Sequence, residues 1–122
     1  MKIFVNHTNH PSEQWGAAQR AAAEKFGEIV DIPFPAVAPN ADEVEVLEMV
    51  NTNLREILKM KPAAVLCQGE FNYTFAMVEA LKKSGVVVLA ATSERVVEEI
   101  VDADGSAKKV SIFRFVRFRR YL

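Results

Sequence analysis

Residues 63–91 read AAVLCQGEFNYTFAMVEALKKSGVVVLAA. Ala63–Gln68 and Val86–Ala91 are apolar runs without polar alternation, the pattern of strands covered on both faces. Between them, Gly69 turns the chain and Asn72–Ser84 reads as a helix that stops at Gly85. A strand, a helix and a second buried strand in succession make a parallel crossover unit.

The same alternation extends upstream. Pro62 follows a helix whose expected cap is Asn40, with Glu43 three residues on in the spacing of a capping box. Val44, Leu47, Val50, Leu54, Ile57 and Leu58 form its expected apolar face. A proline-rich loop, Pro35–Pro39, precedes it. Glu28–Phe34 (EIVDIPF) reads as a strand, with Pro33 and Pro35 marking its end because proline cannot donate to a ladder. Pro11-Ser12 opens the first helix: Ser12 is the expected cap, Trp15, Ala18, Ala22 and Phe26 recur at helical spacing, and Gly27 ends it. Lys2–Asn6 reads as a short buried strand.

Downstream the pattern changes. Arg95–Asp102 and Lys108–Arg120 flank Asp104-Gly105, a hairpin turn signal. In the last strand the alternation changes phase at Val116, which predicts a bulge or a switch of partner. The expected fold class is α/β: a parallel sheet with helices on both faces, extended by a C-terminal antiparallel β-hairpin. Two strand orders, 2-1-3-4 and 3-2-1-4, serve equally. Phe113, Phe115, Val116 and Phe118 are expected to be buried, partly in the core and partly at a two-fold interface.

The 122 residues suit one domain, residues 1–122, without repeats or linkers. Half the chain is hydrophobic and a quarter charged, as in ordinary globular domains. No apolar stretch approaches the roughly 20 residues of a membrane span, and the start is too plain for a signal peptide. One cysteine, Cys67, gives neither a disulfide framework nor a thiolate metal cluster, so a cytoplasmic location is expected. The net charge of −1 is unevenly placed: residues 108–122 hold six Lys/Arg and no acid. That tail reads as a basic edge strand protected from pairing, or as a face toward an anion.

In an open parallel sheet, ligands bind outside the carboxyl ends of the strands. Three polar clusters fall there: Asn6-His7-Thr8-Asn9-His10 after the first strand, Gln68-Gly69-Glu70-Phe71-Asn72 after the third, and Thr92-Ser93-Glu94-Arg95 after the fourth. Each has a structural reading too. Thr8 and Ser12 cap turns, Asn9 suits a left-handed turn, Asn72 caps a helix, and His10 bonds its own turn. Their convergence favours a ligand. The donors are neutral or cationic, two helix N-termini point the same way, and Phe71 and Tyr73 suit a base, so the ligand expected is a nucleotide or phosphodiester. No GxGxxG and no GxxxxGK[ST] is present. His7, His10, Glu70 and Glu94 make a poor metal set, Ser93 lacks a nucleophile elbow, and Cys67 reads as inert core.

The stretches NHTNHPSEQW, VLCQGEFNYTFA, ATSER and FRFVRFR resemble a small family of CRISPR-associated proteins of type III systems, similar to minimal CARF (CRISPR-associated Rossmann fold) domains. The likeness spans most of the chain. It implies a Rossmann-like fold, a homodimer, and cyclic oligoadenylate as ligand, with no cofactor, no membrane and no DNA duplex as partner. It further implies a ring nuclease that needs no metal and leaves a 2′,3′-cyclic phosphate. On chemistry and position, His7 or His10 would move the proton and Arg95 would pair with the phosphate charge. Asn6, Thr8, Asn9, Gln68, Gly69, Phe71, Asn72 and Ser93 would bind the ligand. Two rivals are a non-catalytic sink or sensor, and an α/β interaction module that docks through its basic hairpin.

Overall fold

The computed structural model describes the whole chain, Met1–Leu122. Five strands form one sheet: β1 (Ile3–Thr8), β2 (Glu28–Asp31), β3 (Ala64–Gln68), β4 (Val88–Val101) and β5 (Ala107–Arg120). Three helices connect them: α1 (Ala17–Glu24), α2 (Glu43–Lys59) and α3 (Phe71–Lys83). The order is β2-β1-β3-β4-β5, parallel except for the antiparallel β4–β5 pair. Of the two expected orders, 2-1-3-4 is therefore the one adopted.

That order explains where the helices lie. Crossovers between parallel strands are right-handed. From β1 to β2 the chain steps one way across the sheet; from β2 to β3 and from β3 to β4 it steps the other way. α1 is accordingly alone on one face, where Ala23 packs with Phe4, Ala64, Leu66 and Leu89. On the other face α2 and α3 bring Val46, Val50, Ile57, Tyr73, Met77 and Leu81 onto Val5, Val65, Cys67 and Val88.

Several boundaries differ from expectation for local reasons. Ser12 does not cap a helix: Ser12–Gln14 is a single 3₁₀ turn, Trp15 and Gly16 are extended, and α1 begins after Gly16 with no side-chain cap. Asp42, rather than Asn40, caps α2 by accepting from the Glu45 N–H at 2.9 Å. Its inward face is Val46, Val50 and Ile57, so Val44 and Leu47 are left exposed. Asn72 is not the cap of α3; the Glu70 carboxylate accepts from the Tyr73 N–H at 2.8 Å.

Gly27 sits where β2 starts beside β1. A Cβ there would meet the Lys2 carbonyl carbon and oxygen at 2.5 Å. Both are backbone atoms of a paired strand, so they yield only by pulling β1 and β2 apart. Gly27→Ala should therefore lower stability by about 1–3 kcal/mol, read as a lower urea midpoint at unchanged m.

The hairpin turns at Asp104-Gly105, with Gly105 at φ +85° and the Asp102 N–H bonded to the Ser106 carbonyl. The register jumps from Thr92↔Arg117 to Ser93↔Phe115, so Val116 is the extra residue of a bulge, as its change of phase predicts. The main departure lies in β4. Thr92–Arg95 are not a loop after the fourth strand but part of it, because β5 supplies a partner along its length. β3 pairs with β4 only at Val65↔Val88 and Leu66↔Leu89, so from Glu94 onward the hairpin is a two-stranded arm standing beyond the sheet. Phe113 and Val116 are exposed there, against expectation; Phe115 and Phe118 are half-buried, Phe118 against Phe4 at 5.3 Å.

Candidate functional site

The polar run at the end of β1 is divided by the pleat. Successive side chains of a strand point to opposite faces. Asn6 and Thr8 therefore face the α1 side with Phe4, and His7 faces the α2/α3 side with Val5. All three are buried, because β1 runs to Thr8 rather than ending at Asn6.

Asn6 and Thr8 act on the next turn. The His10 carbonyl accepts from Asn6 Nδ2 at 2.9 Å, from Thr8 Oγ1 at 3.2 Å and from the Trp15 indole N–H at 3.2 Å. Asn6 Nδ2 also donates to Asp31 Oδ1, whose other oxygen accepts from the Ser12 N–H. The backbone after β1 is thus tied down from three elements, while the His10 side chain stays exposed.

His7 is fully buried and has a partner at each nitrogen. Nδ1 lies 2.8 Å from the Ile32 carbonyl, and Nε2 lies 2.6 Å from the Tyr73 hydroxyl. A carbonyl only accepts, so the proton belongs on Nδ1 and Nε2 accepts from Tyr73. Tyr73 in turn accepts from Asn53 Nδ2 at 2.9 Å. The chain Asn53–Tyr73–His7–Ile32 therefore ties α2, α3, β1 and the segment after β2 together. Burial pushes the His7 pKa below the usual histidine range, partly offset by the Ile32 carbonyl, and burial pushes the Tyr73 phenol up to about 12. The expectation that His7 stands on a loop facing a ligand is corrected: it is a core histidine closed in by Phe34 and Tyr73.

Phe34 also explains the second cluster. A Cβ on Gly69 would meet the Phe34 ring at 2.3 Å, so the space that Gly69 leaves is taken by that ring, not by a ligand. Phe71 is 89 % exposed on the α3 side, and Asn72 borders a cleft with Asp42 and Glu43 between α2 and α3. Gly69, Phe71 and Asn72 therefore line no cavity together with His10.

A groove of about 680 Å³ opens on the α1 side instead. Beyond Leu89 the β3–β4 ladder ends, and the Gln68 side chain bridges the widening gap: its Oε1 accepts from the Ala91 N–H at 2.9 Å and its Nε2 faces the Ala91 carbonyl at 3.4 Å. Thr8, His10, Gln68 and Ser93 line the groove with Trp15 and the start of α1. The arm contributes Phe113, Arg114 and Phe115. Thr8 and Gln68 are register partners on β1 and β3, the strands whose connections leave toward opposite faces. That is the switch point where open α/β sheets place ligands.

The lining contains no carboxylate residue, and α1 presents an N-terminus without a side-chain cap. Both features favour an anion. Arg114 is partly neutralised by Glu98 at 2.7 Å. Arg95 lies outside the lining. Its Nε and Nη2 are hydrogen-bonded to Ser111 Oγ at 3.1 and 2.9 Å, on the arm face shared with Ser93 and Phe113. Asn9 is exposed beside the groove without lining it. Cys67 is buried, with its thiol pushed up to about 12, which suits inert core. No group of three or more His, Cys, Asp or Glu is placed to hold a metal ion, and no helix is long and apolar enough to cross a membrane.

Trp15, Gln14, Gln19 and the arm residues Phe113 to Phe115 were not expected in the site. Helical spacing assigned Trp15 to a core face; the Trp-Gly pair that interrupts the helix was the available signal. The family model described as the uncharacterized protein MJ1673 family matches residues 2–119, and the chain belongs to that family. No curated protein matches the chain.

Proposed function

We propose that this member of the MJ1673 family binds cyclic oligoadenylate in the groove between the carboxyl ends of β1 and β3 and the arm, and cleaves it as a metal-independent ring nuclease. The observation that carries this reading is the groove itself: a switch-point site with no carboxylate in its lining, an open helix N-terminus, aromatic walls and one exposed imidazole. Phosphates suit the N–H groups of α1 and the hydroxyl of Ser93, whereas the Thr8 hydroxyl is committed to Asn6 and the His10 backbone; adenines suit Trp15, Phe113 and Phe115. The strand order and the carboxyl-edge site are the observations that support reading the domain as Rossmann-like and CARF-type.

In this reading His10 takes the proton of a ribose 2′-OH. The freed oxygen attacks the adjacent phosphorus, the P–O5′ bond breaks, and the 5′-oxygen takes a proton from water while the His10 imidazolium returns its proton to solvent. The products are a 2′,3′-cyclic phosphate and a 5′-hydroxyl. Orientation and electrostatic stabilisation of the pentacovalent phosphorus carry the rest. Arg95 supplies a cation on the groove side of the arm. His7 has no part in proton transfer, because both its nitrogens are engaged in the core.

A two-fold homodimer completes the reading. Val97, Val101 and Val116 stand exposed on an arm that, as an isolated ribbon, is only marginally stable. A second copy covering them buries that surface and matches the two-fold symmetry of a ring of four adenylates. The cell interior, where such a messenger acts, is the location that follows. Incubation with cyclic tetra- and hexa-adenylate, with and without EDTA, tests the activity by chromatography. Shortened linear products in both conditions are expected. Intact ligand that raises the melting temperature instead assigns a sink or sensor, and no shift with either ring removes the ligand reading. A monomeric mass at micromolar concentration argues against the dimer.

A further inference from the structure

The lining of the groove holds three glutamines, Gln14, Gln19 and Gln68. The Gln68 amide is spent on the sheet, where it answers both the N–H and the carbonyl of Ala91. The Gln19 amide makes no hydrogen bond within the chain, although the residue is half-buried. It lies one turn before Ala23 on α1, and residues four apart share a helix face. Ala23 is fully buried against Phe4, Leu66 and Leu89 of the sheet, so Gln19 also points toward the sheet. There it lines the groove together with Leu66 and Gln68 of β3.

A sheet-facing position on a helix is ordinarily apolar. As a merely solvated amide, Gln19 would gain nothing there over an apolar residue. Its chemistry has a use if a ligand offers a donor beside an acceptor, the pair that Ala91 offers to Gln68. Adenine does so at N6–H and N7, which a glutamine amide reads with two bonds. Guanine presents two acceptors at that edge, N7 and O6, and calls for a lysine or arginine. The only one in the lining, Arg114, is paired with Glu98 at 2.7 Å. The N4–H of cytosine calls for a carboxylate, and the lining has none. Uracil offers O4 beside N3–H, but its single ring presents less surface to Trp15 and Phe115 than a purine does.

We propose that Gln19 is the residue that selects adenine in the groove, its Oε1 accepting from N6–H and its Nε2 donating to N7. The inference rests on the ring-binding reading and adds the base specificity of that site. The preference comes from the amide alone, because the phosphates are the same in every ring.

Trp15, the only tryptophan of the chain, lines the same groove, so quenching of its fluorescence on rapid mixing reads ring binding by the full chain. The probes are cyclic tetra-adenylate, its inosine and 7-deaza-adenine counterparts, and cyclic tetra-uridylate. Inosine puts an acceptor in place of N6–H, and 7-deaza-adenine removes the N7 acceptor. The inosine ring should bind the parent about 5- to 150-fold more weakly than cyclic tetra-adenylate, the range for one bidentate base contact, and the 7-deaza ring should fall between them. Gln19→Ala keeps a good helix former in α1, and its melting temperature shows that it is folded. In this variant the three purine rings should bind alike, at the level of the inosine ring with the parent. Equal binding of the purine rings by the parent, a preference for adenine that survives in folded Gln19→Ala, or uridylate binding as tight as adenylate would each overturn the role of Gln19 and leave ring binding standing. A parent that responds to none of the rings would remove the ring-binding reading together with it.

Discussion

Replacing His7 by Ala should destabilise the fold by about 3–5 kcal/mol, measured by urea denaturation at neutral pH. The substitution removes the only partner of the Ile32 carbonyl in this chain of bonds and the acceptor of the Tyr73 O–H. A buried polar group left without its partner costs about 1–3 kcal/mol, and two are affected. The imidazole also packs against Phe34 and Tyr73 at ring separations of 5.4 and 5.6 Å, so its removal leaves a cavity as well. The effect should follow pH in a defined direction. Burial lowers the folded-state pKa of His7 below its ordinary 6.5, so below pH 6.5 the unfolded chain binds the proton more readily than the folded one. The stabilisation is therefore full above pH 6.5 and is lost as the pH falls from there toward the folded pKa. In His7→Ala that part of the pH slope should disappear. An identical slope in parent and variant would mean that another group carries it.

The helices and the strands were legible because burial on two faces leaves continuous apolar runs, whereas two strand orders, 2-1-3-4 and 3-2-1-4, fitted the sequence equally. AAVLCQ and VVVLAA cannot be mistaken for half-exposed strands, and the phase change at Val116 marked a break, a bulge or a switch of partner, of which the bulge is adopted. The site was less legible, for two reasons. A row such as Asn6-His7-Thr8 looks like one cluster in sequence, yet a strand sends alternate residues to opposite faces, so only half of such a row faces any one groove. Polarity at Thr92–Arg95 looked like the end of a strand, whereas it marks the point where β4 leaves the sheet and continues on β5 alone. Gly69 has the small size that suggested close approach, but the approaching group is Phe34. The contribution of the arm to the groove depends on the hairpin's position relative to α1. No local pattern encodes that long-range placement.

His10→Ala should slow cleavage of the cyclic oligoadenylate by about 100-fold or more while leaving its affinity nearly unchanged. The backbone carbonyl of His10 is held by Asn6, Thr8 and Trp15, so the substitution leaves the loop and the groove shape in place. Its ring is exposed at the groove and makes no hydrogen bond within the chain, so little folding stability should be lost with it. A residue that moves a proton only at the transition state lowers kcat and kcat/KM together, whereas one that merely holds the ring raises KM. Single-turnover cleavage and calorimetric affinity, measured on the same preparations, separate the two. Free imidazole added to His10→Ala should restore part of the lost rate, since the vacated groove admits a small base. Parent-like cleavage by the variant would remove His10 from the chemistry and return the search to the remaining groups around Ser93, Arg95 and Arg114. Loss of affinity without loss of single-turnover rate would make His10 a binding residue and leave the proton to solvent.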